Sequence, residues 1–200
     1  MQLSDPDGLR LEIVERKEGA LSQWSHGGVP VHHAIKGFGG AMLFSTNPES
    51  TASVLEHVLG MEKIADDGEY TRFKAAGDLG NLLDVNVKAM AQGIGGAGTV
   101  HHIAWRAKDD ADHLLWRSLV EESGFQPTPV IDRQYFNAIY FREEGGILFE
   151  IATDSPGFAR DEPAETLGEK LMLPQWLEVH REQIEKGLPP IKVRVLEADL

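Results

Sequence analysis

Cysteine is absent from the chain. Its absence excludes disulfides, thiolate zinc sites and cysteine nucleophiles. Any metal ion must therefore be held by His, Asp or Glu. No apolar run approaches the roughly 18 residues that a membrane-spanning helix needs. The opening MQLSDPDGLR is polar and acidic, unlike a signal peptide, so the cytoplasm is the expected location. Basic charge is scarce: 19 Lys and Arg against 32 Asp and Glu leave a net charge of −13. That balance argues against a nucleic-acid or anionic-membrane partner. It leaves a small anionic or phenolic substrate open, because a local cluster can differ in sign from the whole.

An apolar fraction of 42% over 200 residues suits an ordinary globular chain with a substantial core. Residues 8–14, GLRLEIV, alternate like a strand after a DPDG turn, but a strand so close to the start has no evident local partner. Residues 16–36 are polar, contain Gly and Pro, and read as a linker. A unit follows. Gly40–Ser45 is strand-like. A helix capped at Asn47 or Ser50 runs to Leu59 with Ala52, Leu55, Val58 and Leu59 on one face, and Gly60 stops it. Met61–Ala65, Tyr70–Ala75 and Asn81–Val87 read as strands.

A second unit repeats this order roughly 60 to 66 residues later. Val100–Ala107 reads as a strand and Asp109–Ser123 as a helix, with Ala111, Leu114, Leu115 and Leu119 as its buried stripe. Pro127–Arg133, Ala138–Arg142 and Ile147–Thr153 read as strands. The expected class is α+β, with tandem βαβββ modules forming curved mixed sheets. The expected division is a remnant strand and linker (1–36), one module (37–97), a metal-binding module (98–160) and a C-terminal arm (161–200). Within the arm, Ala164–Lys186 reads as a charged amphipathic helix broken at Pro174, either a packing arm or a dimer strap.

Two strands of the second unit carry chemistry. In GILFEIATD, Ile147, Phe149 and Ile151 share one face, and Leu148, Glu150 and Ala152 share the other. A carboxylate among apolar neighbours is costly unless it is paired or metal-bound. In GTVHHIAWR, Ile103 and Trp105 form the bulky face, while His102 and Ala104 form the face with room. Strand alternation then puts His101 on the opposite face or at the rim. His102 and Glu150, 48 residues apart, can converge as two members of a two-His-one-carboxylate set or as a purely structural pair.

The stretch DRQYFNAIYFREEGGILFEIATDSPGF resembles the signature of ring-cleaving hydroquinone dioxygenases of the vicinal-oxygen-chelate (glyoxalase-like) superfamily. GTVHHIAWR, LGEKLMLPQWLEVHREQIEKGLPPI and DPDGLRLEIVE resemble further segments of that family, so the resemblance covers essentially the whole chain. It implies four βαβββ modules with a cavity between paired modules. It also implies a metal held by a histidine of the first module and a His and a Glu of the fourth. The matching ligands are His102 and Glu150. The matching neighbours are Arg133 and Tyr140, and the residue before the ligand histidine matches His101.

The implied chemistry is opening of a hydroquinone- or catechol-like ring with dioxygen at Fe(II) or Mn(II). Tyr140 would hydrogen-bond or protonate the oxygen intermediate, Arg133 would hold an anionic oxygen, and His101 would shape the pocket and assist proton transfer.

The resemblance aligns the start of this chain with the end of the family's second module, so the first module's histidine has no counterpart. His32 and His33 lie in the linker and are read as outside the site. Gly40 and Asp84 stand where the first unit would match His102 and Glu150, and Asp84 reads as a solvent-facing strand residue. A homodimer that pairs two exposed cups would supply a two-His-two-Glu set. That site would suit a glyoxalase-like lyase or isomerase using Zn(II) or Ni(II). A truncated module that binds small molecules without catalysis is the remaining alternative.

Overall fold

The computed structural model describes residues 1–17, 22–23 and 29–190. Gln2–Ser4 (β1) pairs antiparallel with Arg10–Glu12 (β2) across a turn, in which the Asp5 carboxylate accepts from the Asp7 and Leu9 amides. The early strand thus has a local partner, the segment that precedes its turn. Much of the expected linker, 18–21 and 24–28, lies outside the described residues.

The two units have the same topology. The first runs Gly40–Leu43 (β3), Pro48–Ser53 (α1), Glu62–Asp66 (β4), Tyr70–Lys74 (β5) and Leu82–Asn86 (β6). Asn47 caps α1, accepting from the Ser50 amide, and Pro48 suits the first helical position. The helix widens into a π-type turn over Val54–Val58 before Gly60 leaves it at φ +66°. The second unit runs Ile103–Arg106 (β7), Asp110–Glu122 (α2), Ile131–Asp132 (β8), Asn137–Arg142 (β9) and Leu148–Ala152 (β10). In each sheet the first and last strands lie side by side and parallel, with orders β3-β6-β5-β4 and β7-β10-β9-β8. This adjacency brings His102 toward Glu150.

Each sheet turns alternate residues to a shared core. Leu43, Phe73, Leu83 and Val85 of the first pack in one cluster with Ile139, Phe141, Phe149 and Ile151 of the second. The units are also pinned at the β9–β10 turn. Glu143, buried there, accepts from Thr51 Oγ1 of α1 and from the Gly145 and Ile147 amides. Gly145 O accepts from the Thr46 amide at 2.9 Å.

Three expected details differ. The buried stripe of α2 is His113, Trp116 and Val120, while Ala111, Leu114, Leu115 and Leu119 face outward. His113 Nε2 bonds to the carbonyl of Ile151 at 2.8 Å, which fixes the inward face. The segment 127–130 is not strand, and β8 is two residues long. In the arm, Ala164–Thr166 and Gln175–His180 are 3₁₀ turns, and an α-helix (α3) forms only at Arg181–Gly187. Among the described residues, no helix is long and apolar enough to cross a membrane.

Candidate metal centre

The site begins at the β10 strand. Glu150 faces away from the core of Phe149 and Ile151, yet it is only 3% exposed. Its neighbours across the sheet are Ala104 of β7 and Tyr140 of β9. Ala104 is small, so the ring of His102, two residues earlier, can lean over the strand. His102 Nε2 reaches Glu150 Oε2 at 2.7 Å. A proton or a cation must lie between an imidazole nitrogen and a carboxylate oxygen that close. Tyr140 stands on the other side, its ring 6.0 Å from that of His102 and nearly perpendicular to it. Burial, and then the hydrogen bond to Glu150, push the Tyr140 phenol above its ordinary range, so it stays protonated at neutral pH; the Arg133 guanidinium opposes this.

His101 does not lie on the opposite face. The strand begins at Ile103, so side-chain alternation does not govern the two histidines. Their Nδ1 atoms stand 2.8 Å apart and their rings cross at 89°. One imidazole therefore donates Nδ1–H to the other. With His102 as donor, its Nε2 is left as an acceptor beside Glu150, the tautomer that metal ligation requires. Arg133 lies in the exposed turn after β8. Its guanidinium makes no hydrogen bond or ion pair among the described residues and acts on Tyr140 through its charge.

The donor chemistry fits a divalent metal in part. Imidazole nitrogen and carboxylate oxygen each bind such ions at about 2.0–2.2 Å, so two adjacent ligands at right angles stand about 3 Å apart. The 2.7 Å separation of His102 and Glu150 is close to that spacing. Among the described residues, no group of three His, Asp or Glu side chains is placed to hold a metal ion. His32 and His33 lie in an exposed turn with their ring centroids 4.2 Å apart and tilted at 49°, and they add no third donor.

The first sheet shows what the same positions do without a metal. Asp84 pairs in register with Arg72 and Met42, as Glu150 does with Tyr140 and Ala104. Asp84 is not simply solvent-facing. Arg72 grips it through both oxygens, each bond 2.7 Å. At position 40, where the second sheet has His102, a Cβ would stand 2.2 Å from the Leu82 carbonyl oxygen. A histidine cannot occupy that place, so the first sheet carries a partly exposed ion pair and no ligand pair. The sequence offered no sign of the Arg72 grip, because it depends on strand register.

Comparison with known proteins agrees with this fold. The family model described as the Glyoxalase/Bleomycin resistance protein/Dioxygenase superfamily matches residues 32–151. MhqO of Bacillus subtilis (strain 168), a ring-cleaving dioxygenase by name, is 55% identical over 98% of this chain and 63% of its own length. A chlorohydroquinone/hydroquinone 1,2-dioxygenase of Sphingobium indicum is 29% identical over 92% of this chain and 59% of its own. A crystal structure of a Bacillus subtilis protein described as a dioxygenase superposes with a TM-score of 0.92 at 56% identity, over 96% of this chain and 62% of that one. This chain thus spans less than two thirds of the length of these relatives.

Proposed function

Because this chain belongs to the glyoxalase/bleomycin resistance protein/dioxygenase superfamily, we propose that it is the metal-binding portion of a ring-cleaving dioxygenase. Its substrates are hydroquinone- or catechol-type aromatics, and His102 and Glu150 are two of the metal's ligands. The observation that carries the reading is the 2.7 Å approach of His102 Nε2 to a nearly fully buried Glu150. The dioxygenase names of the relatives support the reaction class.

Bound there, Fe(II) or Mn(II) supplies the redox-active Lewis acid that ring opening by dioxygen requires. The protein groups have separate tasks. Arg133, with its guanidinium unpaired among the described residues, holds the anionic oxygen of the phenolate in its planar fork. Tyr140, kept protonated, offers its Oη hydrogen to oxygen that gains charge during the reaction. His101 holds the His102 ring through Nδ1 and, being exposed, passes a proton between that ring and water.

The test is oxygen uptake with hydroquinone after anaerobic loading with Fe(II). Uptake with a ring-opened product is expected, and Glu150→Gln should abolish both. A wild-type protein that binds metal but consumes no oxygen with any dihydroxybenzene would overturn the reading. A second reading rests on the finding that the described residues provide only two donors. In it, a homodimer pools His102 and Glu150 from both copies in a glyoxalase-like lyase or isomerase site with Zn(II) or Ni(II). Half a metal ion per chain, in a dimer, would favour it.

A further inference from the structure

The residue that the proposed function gives to substrate anchoring, Arg133, sits in the least regular part of the site. It follows the two-residue strand β8 and precedes β9, in a turn closed by Arg133 N–H donating to the Phe136 carbonyl at 2.9 Å. The next residue, Gln134, is the one non-glycine among the described residues in the left-handed region, at φ +70°. An ordinary side chain adopts that conformation only when its surroundings impose it. Local help comes from Asp132, whose carboxylate accepts from the Gln134 amide at 2.7 Å.

The remaining restraints come from residues 157–161, where the second unit passes into the C-terminal arm, 22 to 27 residues away in sequence. Asp161 Oδ2 accepts from both Gln134 Nε2 at 3.1 Å and the Tyr135 hydroxyl at 3.0 Å. Arg160 Nη1 donates to the Gln134 carbonyl at 2.6 Å. The Tyr135 ring lies 5.2 Å from that of Phe158, and the Gly157 amide donates to the Tyr135 carbonyl at 2.8 Å. A turn that joins a very short strand to the sheet is thus fastened from outside on both of its central residues. None of these bonds involves the Arg133 guanidinium itself, whose charge is felt at Tyr140.

We propose that Asp161, with Arg160, is a positioning residue for Arg133: the pair holds the left-handed turn at Gln134 and so sets where the guanidinium stands. This gives the arm a role in substrate binding that packing alone would not, and it rests on the proposed role of Arg133. Arg160 and Asp161 touch neither His102 nor Glu150 and should not affect the metal.

The experiment is a double-mutant cycle on the binding of 4-nitrocatechol, a chromophoric phenolate, titrated anaerobically into metal-loaded protein. Asp161→Ala is expected to weaken binding about tenfold, as coupled neighbours typically do, with metal content unchanged. Asp161→Asn keeps an oxygen that accepts from Gln134 and Tyr135, and should bind like wild type. In an Arg133→Ala background, Asp161→Ala should have no further effect. An equal loss in both backgrounds would mean that Asp161 acts on general stability, which would overturn the proposal. Wild-type protein that fails to bind the probe would overturn it as well, since no anion site would then exist to be positioned. Coupled binding without oxygen uptake on hydroquinone would sink the dioxygenase reading and leave the clasp standing.

Discussion

His101 and His102 face each other through their Nδ1 atoms, 2.8 Å apart, at the point where β7 has not yet begun. The pair orders one imidazole by means of the next, a role that a metal-ligating histidine commonly gives to a carboxylate or carbonyl. His101→Ala should therefore weaken metal binding roughly 10- to 100-fold without unfolding the protein. Anaerobic titration with Mn(II) checks this. Unchanged affinity would show that the Nδ1 contact does not orient His102.

Tyr140→Phe removes the hydroxyl while keeping the ring against His102. Metal content should be retained, and turnover of hydroquinone should fall roughly 10- to 100-fold, the range of outer-contact losses. A wild-type rate would remove Tyr140 from proton delivery.

Gly145→Ala tests how the two units are joined. An added Cβ would stand 1.9 Å from Ser45 Oγ and 2.4 Å from Thr51 Oγ1, and 3.0 Å from Glu143 Oε1, all within the polar clip at the β9–β10 turn. Crowding of this kind in a packed interior costs roughly 1–3 kcal/mol. Denaturant unfolding should show that loss, and wild-type stability would contradict the tight contact.

Arg72→Ala releases Asp84 on the first sheet. The arginine is about half exposed, with side-chain exposure of 47%, so the stability loss should be small, roughly 0.2–1 kcal/mol. The freed carboxylate has no histidine beside it, because Gly40 admits no side chain. The variant should bind no additional metal. A second equivalent would show that the first sheet retains a latent site.

Much of this was readable in the residues themselves. The alternation of Leu148–Ala152 placed Glu150 opposite Phe149 and Ile151, and the 60-to-66-residue repeat gave both sheets their common topology. What failed did so for physical reasons. Helix α2 carries apolar residues on two faces, and periodicity cannot say which meets the sheet; the His113 bond to the Ile151 carbonyl decides it. Alternation of His101 and His102 presupposed a strand that starts three residues later than the apolar run suggested. The helix expected from Ala164 is cut short by the left-handed Gly168, ahead of the break expected at Pro174. The Arg72–Asp84 grip and the Asp161 clasp are long-range pairings that no local pattern marks.

The central claim is that His102 and Glu150 bind a catalytic metal. Its most direct test is the iron retained per chain after anaerobic Fe(II) loading and desalting, measured by elemental analysis on wild type and Glu150→Gln together. Retention of iron by the wild type and its loss in the variant are expected. Equal iron in both proteins, or none in either, would contradict the claim.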